Sequence, residues 1–343
     1  MTFLGLLIVL AYTGGIIGFI SLFSLVAIWT ERKLSAHMQD RLGPMETGGW
    51  HGWAQTVADM LKLLFKEDIV PDAADKPLFK TAPFMVLAGS IAAFAVLPFG
   101  AHLIGTDLNI GVYYLIAVSS LVVAGILMAG WASNNKWALY GAMRAAAQMI
   151  SYEIPVGLSL LIPILIYGTL SMQELVAVQS GGFWHWSLFS HAPFGLVAFV
   201  IYFWASLAEV NRTPFDLPEG ESEIVAGYHV EYSGMRWAMF YLAEYANMFL
   251  VSGVAVALFL GGWHAPIPYL EVSLETSPVL HNLIGFVWFS AKAFTLVLVQ
   301  QWLRWTLPRF RVDQLMKVCW KVFLPFSFVN ILLVSLWVAL SGK

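Results

Sequence analysis

Cysteine and charge are what this sequence has least of. A single cysteine, Cys319, stands in 343 residues. That excludes a disulfide framework and any four-cysteine iron–sulfur site. Charged residues make up 11% of the chain, against about 25% in a soluble globular domain. Hydrophobic residues reach 59%. The balance describes an integral membrane protein, for which length sets no domain count. A net charge of −3 offers nucleic acid no footing. No dinucleotide-binding glycine fingerprint, phosphate-binding loop or His-Glu-x-x-His pair occurs. The eight histidines are scattered. His102 and His281 form a conceivable haem pair, but with no supporting context they read as interfacial histidines. No metal site or redox centre is identifiable, so any electrons must come from other subunits. The N-terminus has no positive n-region and no A-x-A site, and its apolar run is too long for a signal h-region. It reads as a retained helix.

What the chain does have is long apolar runs. A spanning helix needs roughly 20 such residues, and helices satisfy their own backbone in lipid. The fold class is all-α, an integral membrane protein with about eight spans and a surface helix. The expected spans are residues 3–29, 83–104, 110–131, 137–170, 193–212, 237–262, 279–302 and 320–340, in a single membrane domain over 1–343. Among the connections, only the odd-numbered ones hold Lys or Arg. By the positive-inside rule those connections are cytoplasmic and both termini face the periplasm. Within the first connection, His51, Gln55, Asp59, Lys62 and Lys66 fall on one face at 100° per residue, opposite Trp53, Val57, Leu61 and Leu64. An amphipathic helix over residues 50–66 follows, lying on the membrane or against another subunit.

Three carboxylates lie inside helical runs: Glu153, Glu209 and Glu244. Each stands 16 to 18 residues from the outer end of its helix, about 24–27 Å at 1.5 Å per residue. They therefore share one layer just inside the cytoplasmic boundary. Lys292 lies deeper, midway along its run. Such groups are costly in lipid and face a cavity, a partner or a proton path; a single one could simply snorkel to the interface. Clustering favours proton sharing, as a relay requires. The fourth run, about 50 Å if wholly helical, must tilt or leave the membrane, and Pro155 and Pro163 could bend it. Arg144, Gln148 and Tyr152 recur at i, i+4, i+8 along its inner half, and Arg144 could pair with acids of the loop at 211–236.

That loop, NRTPFDLPEGESEIVAGYHVEYSG with its neighbours, holds Asp216, Glu219, Glu221, Glu223 and Glu231 against only Arg212 and Arg236. A solvated acidic loop would be the ordinary reading. Pro214 and Pro218 stiffen it instead, and residues 224–232 are apolar and aromatic, as a packed segment would be. A rigid acidic loop continuous with a carboxylate layer suits the mouth of a proton- or cation-conducting funnel.

Three motifs resemble a known family. They are ERKLSAHMQDRLGP (31–44) with QTVADMLKLLFKE (55–67), GAMRAAAQMISYEIPVG (141–157), and AEVNRTPFDLPEGESEIVAGYHVEYSGM (208–235) running on to LAEYANM. Over essentially its whole length the chain resembles the NuoH-type membrane subunits of respiratory complex I, the proton-pumping NADH:quinone oxidoreductase. The resemblance implies a bacterial inner-membrane subunit that walls part of a quinone tunnel and couples quinone reduction to proton translocation through an acidic funnel. It implies no catalysis by the isolated chain, with FMN and iron–sulfur clusters in partner subunits only. The partners it implies are peripheral-arm subunits at the quinone site and small and antiporter-like membrane subunits. Carried over residue by residue, Arg32, Arg41, Asp59, Lys62, Asp216, Glu219, Glu221, Glu223 and Glu231 would border the quinone cavity. Arg144, Glu153, Glu209 and Glu244, with Lys292 from the depth argument, would form the relay. Arg212 also matches the third motif. Ala36, His37, Met45 and Glu46 depart from the family pattern and change the charge near the tunnel mouth.

Two other readings compete. The related membrane subunit of a membrane-bound hydrogenase shares the fold, but the complete loop motif and QTVADMLKLLFKE favour the quinone enzyme. A stand-alone proton or cation transporter predicts internal repeats around a midplane site. The sequence shows no repeat, and its carboxylates lie near one boundary.

Overall fold

A computed structural model describes residues 3–218, 220–270 and 277–341. No strand occurs among them. In chain order the helices are α1 (Phe3–Met38), α2 (Gln55–Phe65), α3 (Lys76–Ala93), α4 (Gly111–Ala132), α5 (Lys136–Tyr167), α6 (Met172–Ala177), α7 (Ser187–Ser190), α8 (Phe194–Glu209), α9 (Glu221–Ile224), α10 (Gly234–Phe259), α11 (Pro278–Thr306), α12 (Val312–Val318) and α13 (Leu324–Ser341). Seven segments are long and apolar enough to cross a membrane; α8, at 16 residues, is apolar but shorter. With α8 they match the eight expected runs in order.

The helix limits depart from the hydropathy limits for local reasons. α1 continues past residue 29 to Met38 because nothing breaks it before Asp40 and Gly43, both at positive φ. α3 begins at Lys76, earlier than expected, with Pro77 in its first turn, where a missing N–H costs nothing. It gives way to a short 3-10 turn ending at Val96, so residues 97–104 are not helical. Residues 50–54 are turns, with His51 and Gly52 at positive φ, and the amphipathic helix starts only at Gln55. α5 keeps Pro155 and Pro163 inside one helix, stopped by Gly168 in the left-handed region. A π-helical turn, Cys319–Phe323, joins α12 to α13 in one span.

α10 is the hub. It packs against α1, α3, α8 and α11, and most of its apolar stretch is buried, whereas α1, α11 and the α12–α13 span show most of theirs outward. Lipid tails give helices little hydrophobic reason to associate, so small residues that permit close approach carry the packing. Ala129, Ala138, Ala142 and Ala145 at the α4–α5 contact are fully buried. An aromatic cluster of Phe19, Phe23, Phe99, Phe249 and Phe289 fills the space between α1, α10 and α11. A second core, with Phe79, Met149, Tyr228, Tyr232 and Phe240, seats the 211–236 loop on α3, α4 and α5.

Candidate functional site

The C-terminal parts of α1 and α11, the residues after α8 and the middle of α10 converge on one buried carboxylate, Glu31. It accepts from Tyr245 Oη at 2.7 Å, Arg304 Nη1 at 2.6 Å, and Arg212 Nη1 at 3.3 Å. Arg212 follows α8 and is 2% exposed. Its Nε stands 2.9 Å from Glu244 Oε1 on α10, a close charge contact off the hydrogen-bond direction. Its guanidinium also lies over the Tyr245 ring, 4.6 Å from the centroid. Beside this group, Asp216 Oδ2 pairs with Arg309 at 3.2 Å. Glu31, Glu244 and Asp216 are thus matched by Arg212, Arg304 and Arg309. Balance of sign is what lets ions remain buried, since an unmatched charge costs far more than a paired one.

Glu209 and Glu153 lack such matching; neither has an ion-pair partner among the described residues. Glu209 ends α8, within electrostatic reach of Glu153 and beside the Ser119 hydroxyl. Glu153 accepts from Ser120 Oγ at 2.7 Å on the α4 side. A small cavity between α3, α4, α5, α8 and α10 is lined by both Glu209 and Glu244, together with Asn211, Asn247 and Tyr228. A second, adjoining one brings Glu209 together with Ser119 and Asn247. The three expected carboxylates therefore occupy one neighbourhood, Glu153 beside Glu209 and Glu209 across a cavity from Glu244.

The acidic loop is packed rather than solvated. Phe215 and Ile224 are 1% exposed, and Tyr232 stacks on Phe79 at 4.0 Å. Gln148 Nε2 donates to the Ala208 and Phe215 carbonyls, each at 2.7 Å, and so ties the loop to α5. Arg144 Nη1 meets Glu223 Oε2 at 2.6 Å; that hydrogen bond and the nearby charge hold the Glu223 carboxyl below the usual range. Arg144 thus stands with the loop and not with the carboxylate layer. Glu231 accepts from Asn135 Nδ2 at 2.6 Å. Burial lowers the pKa of His229, within the loop, to about 4. Glu219 lies outside the described residues, as does the side chain of Glu221.

Arg32 pairs with Asp59, joining the inner end of α1 to α2. Lys62 is exposed on α2, and Arg41 is exposed with its Nε on Gln39 Oε1 at 2.7 Å, so neither joins the buried network. Lys292 is also apart from the carboxylates. Its Nζ donates to the carbonyls of Leu260, at 2.8 Å, and His264, at 3.0 Å, and lies over the Trp186 ring. There it meets the C-terminal end of α10, several turns along the helix from Glu244. Positive charge suits a helix C-terminus, which accounts for its place.

Sequence reasoning misses Glu31, Tyr245, Arg304 and Arg309. Glu31 adjoins a span's end, where a charge is unremarkable, and the two arginines serve there only as markers of orientation. Matching acids to bases at equal depth, rather than counting acids alone, is the signal that raises them.

The family model described as NADH dehydrogenase matches residues 12–335. The H subunit of the NADH-quinone oxidoreductase of Chlorobaculum tepidum is 54% identical over 342 residues, covering 98% of this chain and 93% of that protein. The corresponding subunit of Chlorobium luteolum is 54% identical over 341 residues, 97% of this chain and 89% of its own length. That of Anaeromyxobacter dehalogenans is 48% identical over 338 residues, 96% and 81% of the two chains.

Proposed function

The chain belongs to the NADH dehydrogenase family, and from that premise we propose that it serves as the quinone-facing membrane subunit of a proton-translocating NADH:quinone oxidoreductase. Its membrane is the bacterial inner membrane, with both termini on the periplasmic side, as the distribution of basic residues supports. Flavin and iron–sulfur clusters belong to partner subunits. A chain with one cysteine, buried, has no ligand set for a cluster.

The observation that carries this reading is the continuity of charged groups from the loop into the membrane. Asp216 and Arg309 lie at the loop; Glu31, Arg212 and Arg304 come next; Glu244 and Glu209 face a common cavity; Glu153 follows. Reduction of a quinone to a quinol takes up two electrons and two protons, and protons drawn from groups of the cavity wall leave that wall more negative. Arg212 holds both Glu31 and Glu244, so a change felt at one carboxylate alters the field at the other. Glu209 and Glu153, without cations of their own, are the members suited to pass a proton onward. Arg32, Asp59 and the inner segment of α2 border the side by which a quinone tail would enter. Arg41, Lys62, Glu219, Glu221, Glu223 and Glu231 complete the polar wall in this proposal. The other members of the assembly are peripheral-arm subunits at the quinone site and small and antiporter-like membrane subunits.

Two measurements test it. Gentle solubilisation of the tagged chain should bring down flavin and iron–sulfur subunits with inhibitor-sensitive NADH:quinone activity; a lone oligomer, or a nickel assembly evolving hydrogen, would overturn the assignment. In the intact assembly, Glu209→Gln should lower quinone-coupled turnover and proton pumping several-fold while NADH oxidation by an artificial dye persists. Unchanged turnover and pumping per electron would remove Glu209 from the relay.

A further inference from the structure

The two adjoining cavities beside Glu209 have Val122, Met149, Glu209, Val210 and Asn247 in common. Glu209 and Asn247 are therefore the polar side chains that face both. Each cavity has room for about one water molecule. Asn247 stands three residues after Glu244 on α10, so the two project from one face of that helix. A carboxamide neither gains nor loses a proton near neutral pH, so Asn247 is no relay member in its own right. Its neighbours in the walls are engaged. Asn211 Oδ1 accepts from Gln148 Nε2 at 3.1 Å, and Ser119 Oγ donates to the Ile116 carbonyl at 2.8 Å. Asn247, half-buried, makes no side-chain hydrogen bond among the described residues. Polar groups inside a protein ordinarily find partners, in the protein or in ordered water. Two N–H donors and an acceptor oxygen on the wall of a water-sized cavity point to water.

We propose that Asn247 is a positioning residue of the relay, whose carboxamide holds a water molecule that bridges Glu209 and Glu244. The inference rests on the relay reading given above and deepens it. The amide N–H donates to the water oxygen, or the amide oxygen accepts a water O–H, and the water stays where both carboxyl groups reach it. It then takes a proton from one carboxylic acid as it gives a proton to the other carboxylate. One O–H bond breaks in the acid, one forms at the acceptor, and the water is regenerated. Arg212 reserves the place for water rather than for a metal cation. Its guanidinium already stands against Glu244 and repels a second positive charge. An apolar residue at position 247 would leave the cavity dry, since apolar cavities hold no water. The link would then be cut with both carboxylates still in place.

The test uses the intact assembly. In a cryo-electron-microscopy map fine enough to show ordered water, density should stand within hydrogen-bond reach of both the Asn247 carboxamide and Glu209. A dry cavity, or a metal ion in that place, would overturn the proposal. Two variants then test the role. Asn247→Leu keeps the volume and removes the polar atoms, whereas Asn247→Ser keeps a hydroxyl and makes room for a further water. Asn247→Leu should lower quinone-coupled turnover and proton pumping several-fold and enlarge the solvent deuterium isotope effect. Asn247→Ser should stay near the unaltered rate, and NADH oxidation by an artificial dye should persist in both. A packing role predicts the opposite order, because Ser leaves a void and Leu does not; that order, or equal rates, would overturn the proposal. Glu209→Gln, measured alongside, separates the two claims. If it slows turnover and Asn247→Leu does not, the relay stands and the role of Asn247 falls. If neither slows turnover, both fall. Should Asn247→Leu fail to assemble, the map of the unaltered protein decides the matter.

Discussion

Arg212 holds two buried carboxylates at once; if it is removed Glu31 keeps Tyr245 and Arg304, but Glu244 loses the cation it stands against. Arg212→Met should cost about 3–5 kcal/mol, the usual penalty for stranding a buried charge, read as failure to accumulate or a lowered Tm of the assembly. Glu31→Gln should cost less, because Tyr245 and Arg304 can still meet an amide oxygen. A double-mutant cycle over Arg212 and Glu31 gives their coupling directly. His229 supplies a pH-dependent counterpart. Its folded pKa is about 4, from an ordinary value of 6.5, so the unfolded loop binds more protons between those limits. Its contribution is full above about pH 6.5 and is lost as pH falls toward 4. Fluorescence of Trp237, whose ring lies 6.2 Å from His229, should report loosening in that window, and His229→Gln should remove the dependence. At this scale the sequence reveals which residues are costly but not whom they meet. Glu153, Glu209 and Glu244 stand out from depth alone. Glu31 is separated from Arg212 and Arg304 by hundreds of residues along the chain, and nothing in a single sequence encodes their meeting.

α5 is held against the acidic loop by two devices, one steric and one polar. At Gly141 an added Cβ would lie 2.6 Å from Gly227 Cα and 2.9 Å from Tyr228 N. Both are backbone atoms and cannot rotate away. Gly141→Ala should therefore cost about 1–3 kcal/mol and push the loop off the helix. Gln148→Leu removes this donor from the Ala208 and Phe215 carbonyls, which keep the backbone N–H groups of Asn211 and Leu217, so it should cost about 1 kcal/mol per hydrogen bond lost. Both variants should show faster protease nicking within 211–232, with cleavage elsewhere unchanged. The order of the apolar helices and the surface character of α2 are readable from hydropathy and period. Their ends are not, because hydropathy marks the part of a helix that lies in lipid. α1 and α3 continue beyond it, to Met38 and from Lys76, and only turn chemistry ends them.

For the whole molecule, orientation is the property most open to direct measurement. The native Cys319 is fully buried, with Sγ on the Ser151 carbonyl at 3.1 Å. The unaltered chain should therefore react little with a membrane-impermeant maleimide. Lys62→Cys, exposed on α2, should react only from the cytoplasmic side, and Tyr269→Cys, at a 94% exposed position, only from the periplasmic side. Accessibility of both from one face would refute the proposed topology. The membrane class and the number of apolar runs rest on composition, which acts over the whole chain and so is legible without coordinates. The position of Lys292 is not, since midway along α11 is compatible with the carboxylate layer and in the fold means the end of α10.

That lysine gives α10 a mechanical character. The segment leading into α10 is fastened to residues 67–69 by Ser233, and the first turn of the helix by Arg236 on Asp68. Its outer end is fastened to α11 by Lys292. Between these moorings it is sheathed by other helices along most of its length. A rod clamped at both ends and gripped along its shaft neither slides nor buckles. The seat of the loop at one end of α10 and the Lys292 contact at the other are therefore held at a fixed separation, so the helix acts as a spacer that sets the frame in which the charged groups beside it stand.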